Sequence, residues 1–567
     1  MTTLEALALI LAAAVVTRWW APAAVATRAE RVLESPWIPV LIGIVSAAVA
    51  SWVWGSLDPV AIVHDEAAYL LQAKIYAGFH WTAPARPLSP FFEQYHVFVT
   101  PWLLPKYPPG HAMAMVPGIW LGLPTLMPTL CIGATGSLLY LLARRVSNVY
   151  VALLAWLFWL TAPGVLFFLP TYMSESTSAA LWLLGWWALL EWRDTGAREW
   201  LLLLAACVGW GAITRPLSWL LFAIPVAVVV LPRLVRRRAW SDLGWATLVG
   251  LGALAILVLW CLHTTGRPFE TPYALYSRVY FPSDVMGFGA SNAAPLRHLP
   301  EDMQHFNAWV VASHSEYTLA RLPANLLARL ETIASDMWGT WRVAIVPFAL
   351  IGLTAMSAEL AFALASALVL VLGYLSFGHG PAWSVYYLEI QPVLAFVSAL
   401  GIWQAIRFVE GATLNLRRTL AAPPSPRPMV GALLVAVLLL PGFAATVQRQ
   451  RRDKAAWGGY HTAFRNAVRH LVGDRIIVFV RYAPDHSPHM SLITNEPDLD
   501  RARVWTVYDY GPEDMRLIRL APQRIPYLFD ETKHLIVRID TTQLAAELAA
   551  RDSARAHDVA HAGSAAR

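Results

Sequence analysis

Apolar runs approaching twenty residues recur along most of this chain, and no other feature constrains its fold as strongly. They fall near residues 3–19, 37–55, 111–142, 149–168, 174–192, 199–213, 217–232, 242–263, 343–357, 359–376, 386–406 and 428–447. A helix needs about 20 residues to cross a bilayer, so roughly eleven or twelve spans are expected. Composition agrees: of 567 residues 57% are hydrophobic and only 14% charged, against about 25% charged in soluble domains. The chain reads as an all-α polytopic membrane protein. Near its start, Glu5 is the only charge before the first apolar run. A signal peptide begins basic, so a spanning or interfacial helix fits residues 3–19 better.

The net charge of +6 is no nucleic-acid signal, because the arginines cluster in short loops between apolar runs. Arg144-Arg145, Arg193 with Arg198, Arg233 with Arg236-Arg237-Arg238, and Arg417-Arg418 with Arg427 mark those loops as cytoplasmic. Alternation then puts 56–110, 169–173, 264–342, 377–385 and everything after 448 on the extracytoplasmic side. Cys131, Cys207 and Cys261 lie in apolar segments without CxxC spacing and read as small buried hydrophobes.

The first long outer loop carries His64-Asp65-Glu66 directly after a spanning run. Ionisable groups at that depth are costly and point to function. A plain capping role, with Asp65 and Glu66 at the positive end of a helix, fits the same residues. From Asp65 to Tyr76 the pattern is helical. Asp65, Tyr69, Gln72 and Tyr76 form a polar, aromatic face, and Ala68, Leu71 and Ile75 an apolar one suited to the membrane interface. A loop as long as 264–342 inside a compact protein is usually functional. Its Asp284, with Gly287 and Gly289, reads as an Asx turn, with a sugar contact as the alternative.

After 448 the pattern changes to alternating strands and helices: a helix over 457–471, strands over 475–482, 504–508 and 534–539, and a short helix over 513–520. This predicts a small α/β domain over 448–550, following a transmembrane domain over 1–447 and preceding a disordered Ala/Arg/His-rich tail over 551–567. No glycine-rich nucleotide motif occurs, and no internal repeat is visible.

Asp65-Glu66-Ala67-Ala68-Tyr69 after an early span, then Gly78, Trp81, Pro84 and Pro87, then Lys106-Tyr107-Pro108-Pro109-Gly110-His111 opening the next helix, resemble a GT-C glycosyltransferase. The likeness is to the bacterial protein-mannosyltransferase-like enzymes (family 39) and the lipid A aminoarabinose transferases. It is strongest over 58–118, weaker at Pro170–Glu175 and Thr214–Pro216, and returns at Tyr386–Glu389. It implies transfer of a sugar, with inversion, from a polyprenyl-phosphate carrier to a protein, lipid or polysaccharide acceptor outside the cell's inner or plasma membrane.

That chemistry needs a base for the acceptor hydroxyl and positive charge for the departing phosphate. Asp65 is the candidate base, with Glu66 beside it to position the acceptor, bind a cation or favour the helix start. Lys106, His111 and Arg215 are candidate phosphate ligands, Arg215 having snorkelling as its plain alternative. Tyr69, Tyr107, Glu175, Tyr387 and Glu389 are candidate substrate contacts; Glu389 lies one turn into an apolar run and needs a partner. His64, His96, His111 and His379 show no HxxxH or HxH spacing, which speaks against a tightly held zinc, although a divalent cation remains compatible. A lipid or solute transporter is the alternative class, but transporters usually repeat a pattern in two halves, and the 56–110 pattern occurs once.

Overall fold

The computed structural model describes residues 1–17, 19–409 and 426–565. Arg417 and Arg418 of the last expected cytoplasmic loop, and the final residues 566–567 of the tail, lie outside the described residues. Without water to satisfy them, backbone amides and carbonyls in a bilayer must pair within the segment, and the apolar runs accordingly form helices. Seven are long and apolar enough to cross: Trp37–Trp54, Leu126–Val146, Pro216–Arg236, Trp240–Thr265, Ala358–Ser376, Ser384–Val409 and Pro426–Trp457. Thr3–Val16, Val149–Leu160 and Thr340–Gly352 are shorter apolar helices, and Glu175–Thr195 and Arg198–Ala212 join the bundle. The Ser384–Val409 segment is its most central member, 72% buried, whereas Trp240–Thr265 is 11% buried and turns apolar side chains outward. Together they make a multi-pass membrane protein.

Close helix crossings rest on glycine, as membrane packing requires. A Cβ on Gly401 would fall 1.6 Å from the carbonyl oxygen of Phe348, and one on Gly352 2.0 Å from that of Val397. The expected apolar run over 111–142 is two helices, Pro109–Trp120 and Leu126–Val146. Gly122, at φ +69°, and Pro124 make the break between them.

At one end of the bundle the long loops build a cap. Within 56–110 lie the helix His64–Ala77 and three short strands, β1 (Ala83–Pro84), β2 (Val97–Phe98) and β3 (Trp102–Pro105), in the order β1-β3-β2. The helix does not lie along the interface with one face in lipid. Ala68, Leu71 and Ile75 are buried, and so are Tyr69, Gln72 and Tyr76 on the opposite face, because the KYPPGH segment and the Pro109–Trp120 helix cover it.

The final membrane helix runs on to Trp457, past the 447 boundary expected. A helix over Gly459–Arg469 then leads into a four-stranded sheet ordered β5-β4-β6-β7. Its strands are β4 (Ile476–Arg481), β5 (Val504–Tyr508), β6 (Ile525–Asp530) and β7 (Leu535–Arg538). β4 pairs parallel with β5 and β6, and β7 closes antiparallel on β6. The continuous apolar run Ile476-Ile-Val-Phe-Val480 fits a parallel strand covered on both faces. β6 carries Pro526, which masks a strand in sequence. A helix over Thr541–Ala565 starts in the expected α/β domain and continues into the segment from 551 where a disordered tail was expected; its alanines and arginines are strong helix formers.

Candidate active site

The site forms where the cap meets the bundle. β2 and β3 pair with Val97 opposite Pro105, and the Lys106 amide donates to the His96 carbonyl at 2.8 Å. That short ladder sets His96 and Lys106-Tyr107 side by side, against the first turn of the His64–Ala77 helix. His96 has φ +63°, a left-handed conformation uncommon for a non-glycine residue and worth reading functionally.

Asp65 is the centre. The Tyr107 hydroxyl donates to its Oδ1, His64 Nδ1 stands 2.9 Å from Oδ2, and His96 Nε2 stands 3.6 Å from Oδ1. The Asp65 side chain is 31% exposed while both histidines are 5% exposed, so the carboxylate is the open edge of a buried cluster. Burial pushes the Asp65 carboxyl up, but the imidazoles and the Tyr107 hydroxyl more than reverse this, holding it well below the usual carboxylate range. Burial, reinforced by Lys106, keeps His96 well below the usual imidazole range and therefore neutral.

A second cluster lies deeper. Arg215 pairs with Glu175 and sits 3.3 Å from Glu389, whose carboxylate also accepts from the Ser178 hydroxyl at 2.7 Å. Arg215 further donates to Ser174 and to the Tyr374 hydroxyl, both at 3.4 Å. Glu389 therefore has its partner, as a carboxylate in an apolar run must. Gly110 permits this junction: its amide donates to the Ile213 carbonyl at 2.8 Å, and a Cβ there would meet the Thr214 hydroxyl at 2.5 Å. Tyr69 bridges the clusters, stacking on Tyr107 with ring centres 4.2 Å apart and donating to Ser174 at 3.2 Å.

Lys106, 2% exposed, lies 3.3 Å from Asp284 and over the Tyr273 ring at 4.2 Å. Asp284, read from the sequence as a turn residue in preference to a sugar contact, is thus the counter-ion of this lysine. His111 is placed differently from an open phosphate ligand: its two ring nitrogens bond the Thr177 hydroxyl and the Tyr172 carbonyl, each at 2.9 Å, in full burial. Glu66 turns away from Asp65 and accepts from the amides of Ile62 at 3.4 Å and Tyr172 at 3.1 Å. Tyr387 is buried with its hydroxyl 3.0 Å from His379, a shell beyond both clusters.

Two participants had no sequence signal. His96 lies far along the chain from His64, without metal-type spacing. His489 comes from the C-terminal domain, stacking on His64 and meeting its Nε2 through Nδ1 at 3.1 Å. The docking that delivers it is extensive. Arg86 donates to the carbonyls of Glu496 and Pro497, Lys74 pairs with Glu496 at 2.6 Å, and Phe91 and Phe92 enter the core around Phe479 and Trp505. Asp302 accepts from both Tyr95 and Tyr508, tying the second long loop to the same junction.

No family model and no curated protein matches this sequence. Among solved structures, ArnT from Cupriavidus metallidurans bound to undecaprenyl phosphate is similar at 16% identity and a TM-score of 0.50, with 88% of this chain and 94% of that one covered. Its apo state gives 17% identity and a TM-score of 0.50, over 86% and 93%. The likeness spans most of both chains. At this identity it is a likeness of fold: the chain shares the architecture of these ArnT structures.

Proposed function

We propose that this protein is a membrane glycosyltransferase that moves a sugar from a polyprenyl-phosphate carrier to an acceptor hydroxyl on the extracytoplasmic face. The observation that carries the reading is the joining of Asp65, Tyr107 and Lys106 at the open edge of the cap. It is supported by the shared fold of ArnT, one structure of which holds undecaprenyl phosphate.

In this reading the acceptor oxygen attacks the anomeric carbon, and the bond from that carbon to the phosphate oxygen breaks with its electron pair. Polyprenyl phosphate leaves, and Asp65 takes the acceptor proton. Lys106 is the nearest cation for the departing phosphate; its acceptor, Asp284 at 3.3 Å, is one that a phosphate oxygen can replace. Arg215 acts from the deeper cluster, where its two carboxylate partners keep it charged and oriented. Tyr69 and Tyr107 offer a stacked aromatic wall of the kind that binds a sugar face. Glu66 and His111 support the geometry through backbone and hydroxyl bonds.

The test is a lipid analysis of cells carrying wild-type or Asp65→Asn protein at equal level. Build-up of one polyprenyl-phosphate sugar only in the variant supports transfer and names the donor. An unchanged pool, with some lipid or solute redistributed across the membrane, replaces this reading with transport.

A further inference from the structure

Three nitrogen and oxygen donors converge at the cap. His64, Asp65 and His96 each offer one ligand atom, and these atoms lie within 4.8 Å of one another. His64 Nδ1 lies 2.9 Å from one Asp65 oxygen and His96 Nε2 3.6 Å from the other, each close to the separation of about 3.3 Å between ligands held tetrahedrally at roughly 2.0–2.1 Å from one ion. His64 Nδ1, though 2.9 Å from Asp65, makes no aligned hydrogen bond, and His96 Nδ1 is buried without a partner. Such orphaned imidazole nitrogens are uncommon in a satisfied interior. His111 nearby, by contrast, uses both nitrogens. Both imidazoles turn a nitrogen toward Asp65, His64 its Nδ1 and His96 its Nε2, and a cation held there would satisfy the unpartnered Nδ1 of His64.

We propose that His64, Asp65 and His96 bind one divalent transition-metal ion of the zinc class, and that His489 orients His64 from outside the coordination sphere. Two imidazoles and one carboxylate match that class better than magnesium or calcium, which prefer all-oxygen shells. Three protein ligands leave a fourth position open, the pattern of a reactive rather than a structural site. The opening lies on the exposed side of Asp65. His489 fills the outer role that metal-bound histidines commonly require, its Nδ1 engaging the far nitrogen of His64 at 3.1 Å. Because His489 belongs to the C-terminal domain, occupancy of the metal site is tied to docking of that domain. An acceptor hydroxyl in the open position would be acidified by the ion and would lie beside the second Asp65 oxygen, which takes its proton.

The experiment uses the full chain in detergent, purified without a polyhistidine tag, stripped with chelator and titrated with Co2+. The expected result is one equivalent of tetrahedral Co2+ absorption, displaced by Zn2+, and a rise in melting temperature of the wild-type protein on adding Zn2+. His64→Ala and His96→Ala should each abolish the absorption, and His489→Ala should keep the stoichiometry while weakening affinity by about 10–100-fold. His305→Ala, exposed on the same cap, should bind as wild type. Absence of the Co2+ spectrum together with an unmoved wild-type melting temperature overturns the site, as does full binding in a folded His64→Ala/His96→Ala protein. Binding is read without donor or acceptor, so its failure leaves the transfer reading intact, and failure of the lipid experiment leaves this one intact.

Discussion

At the scale of single residues, two adjacent carboxylates have opposite surroundings. Asp65 is the partly open one, and Asp65→Asn should lower transfer by at least about 100-fold while the protein inserts and melts normally, as checked by turnover per folded molecule. Glu66 is 1% exposed and holds two backbone amides. Glu66→Gln should therefore cost stability, about 1–3 kcal/mol, and leave turnover of the folded fraction near wild type; a thermal melt in detergent beside a turnover assay separates the two. Lys106→Ala should raise the donor KM with little change in that of the acceptor. An unchanged donor KM would remove Lys106 from phosphate binding.

At the scale of elements, helix crossings and the C-terminal sheet carry distinct liabilities. Gly401→Ala would drive a Cβ into the Phe348 carbonyl, and the overpacking should cost about 1–3 kcal/mol or more, seen as a lower melting temperature. In the sheet domain, Asp514 is buried, and its carboxyl is pushed up to about 9 by burial and by the neighbouring Asp509. Its folded value exceeds the unfolded one of about 3.9, so the folded state keeps a proton that the unfolded chain releases. Stability of this domain should fall as pH rises from about 4 to about 9 and then level off, by at most about tenfold in the unfolding constant per pH unit. Asp514→Asn should flatten that slope, measured by hydrogen exchange of the β4 amides.

At the scale of the molecule, the cap is a single junction of three distant segments. The 56–110 loop supplies Asp65, the 264–342 loop supplies Asp284 and Asp302, and the C-terminal domain supplies His489. Phe92, 1% exposed, plugs the core shared by the first loop and the C-terminal sheet. Phe92→Ala should cost about 3–5 kcal/mol and loosen the C-terminal domain. Limited proteolysis would show this as faster cleavage after Trp457, and transfer should fall with it although no catalytic side chain is altered.

The sequence by itself determined much of what depends on local pattern. Twenty-residue apolar runs require helices because a bilayer leaves the backbone no other partner. Asp65 before a helical period and the KYPPGH segment pointed to the centre of the proposed site, and β4, β5 and β7 were legible from short apolar strands between turns. What only the tertiary structure decided depends on contacts between segments far apart in the chain. The His64–Ala77 helix looks amphipathic, yet both faces are buried, because covering layers leave no trace in a helix's own periodicity. Glu66 and His111 have the chemistry for reactive roles but are claimed by Tyr172 and Thr177. His96 and His489 reach Asp65 only through a strand pairing and a domain docking, and no spacing rule spans such distances.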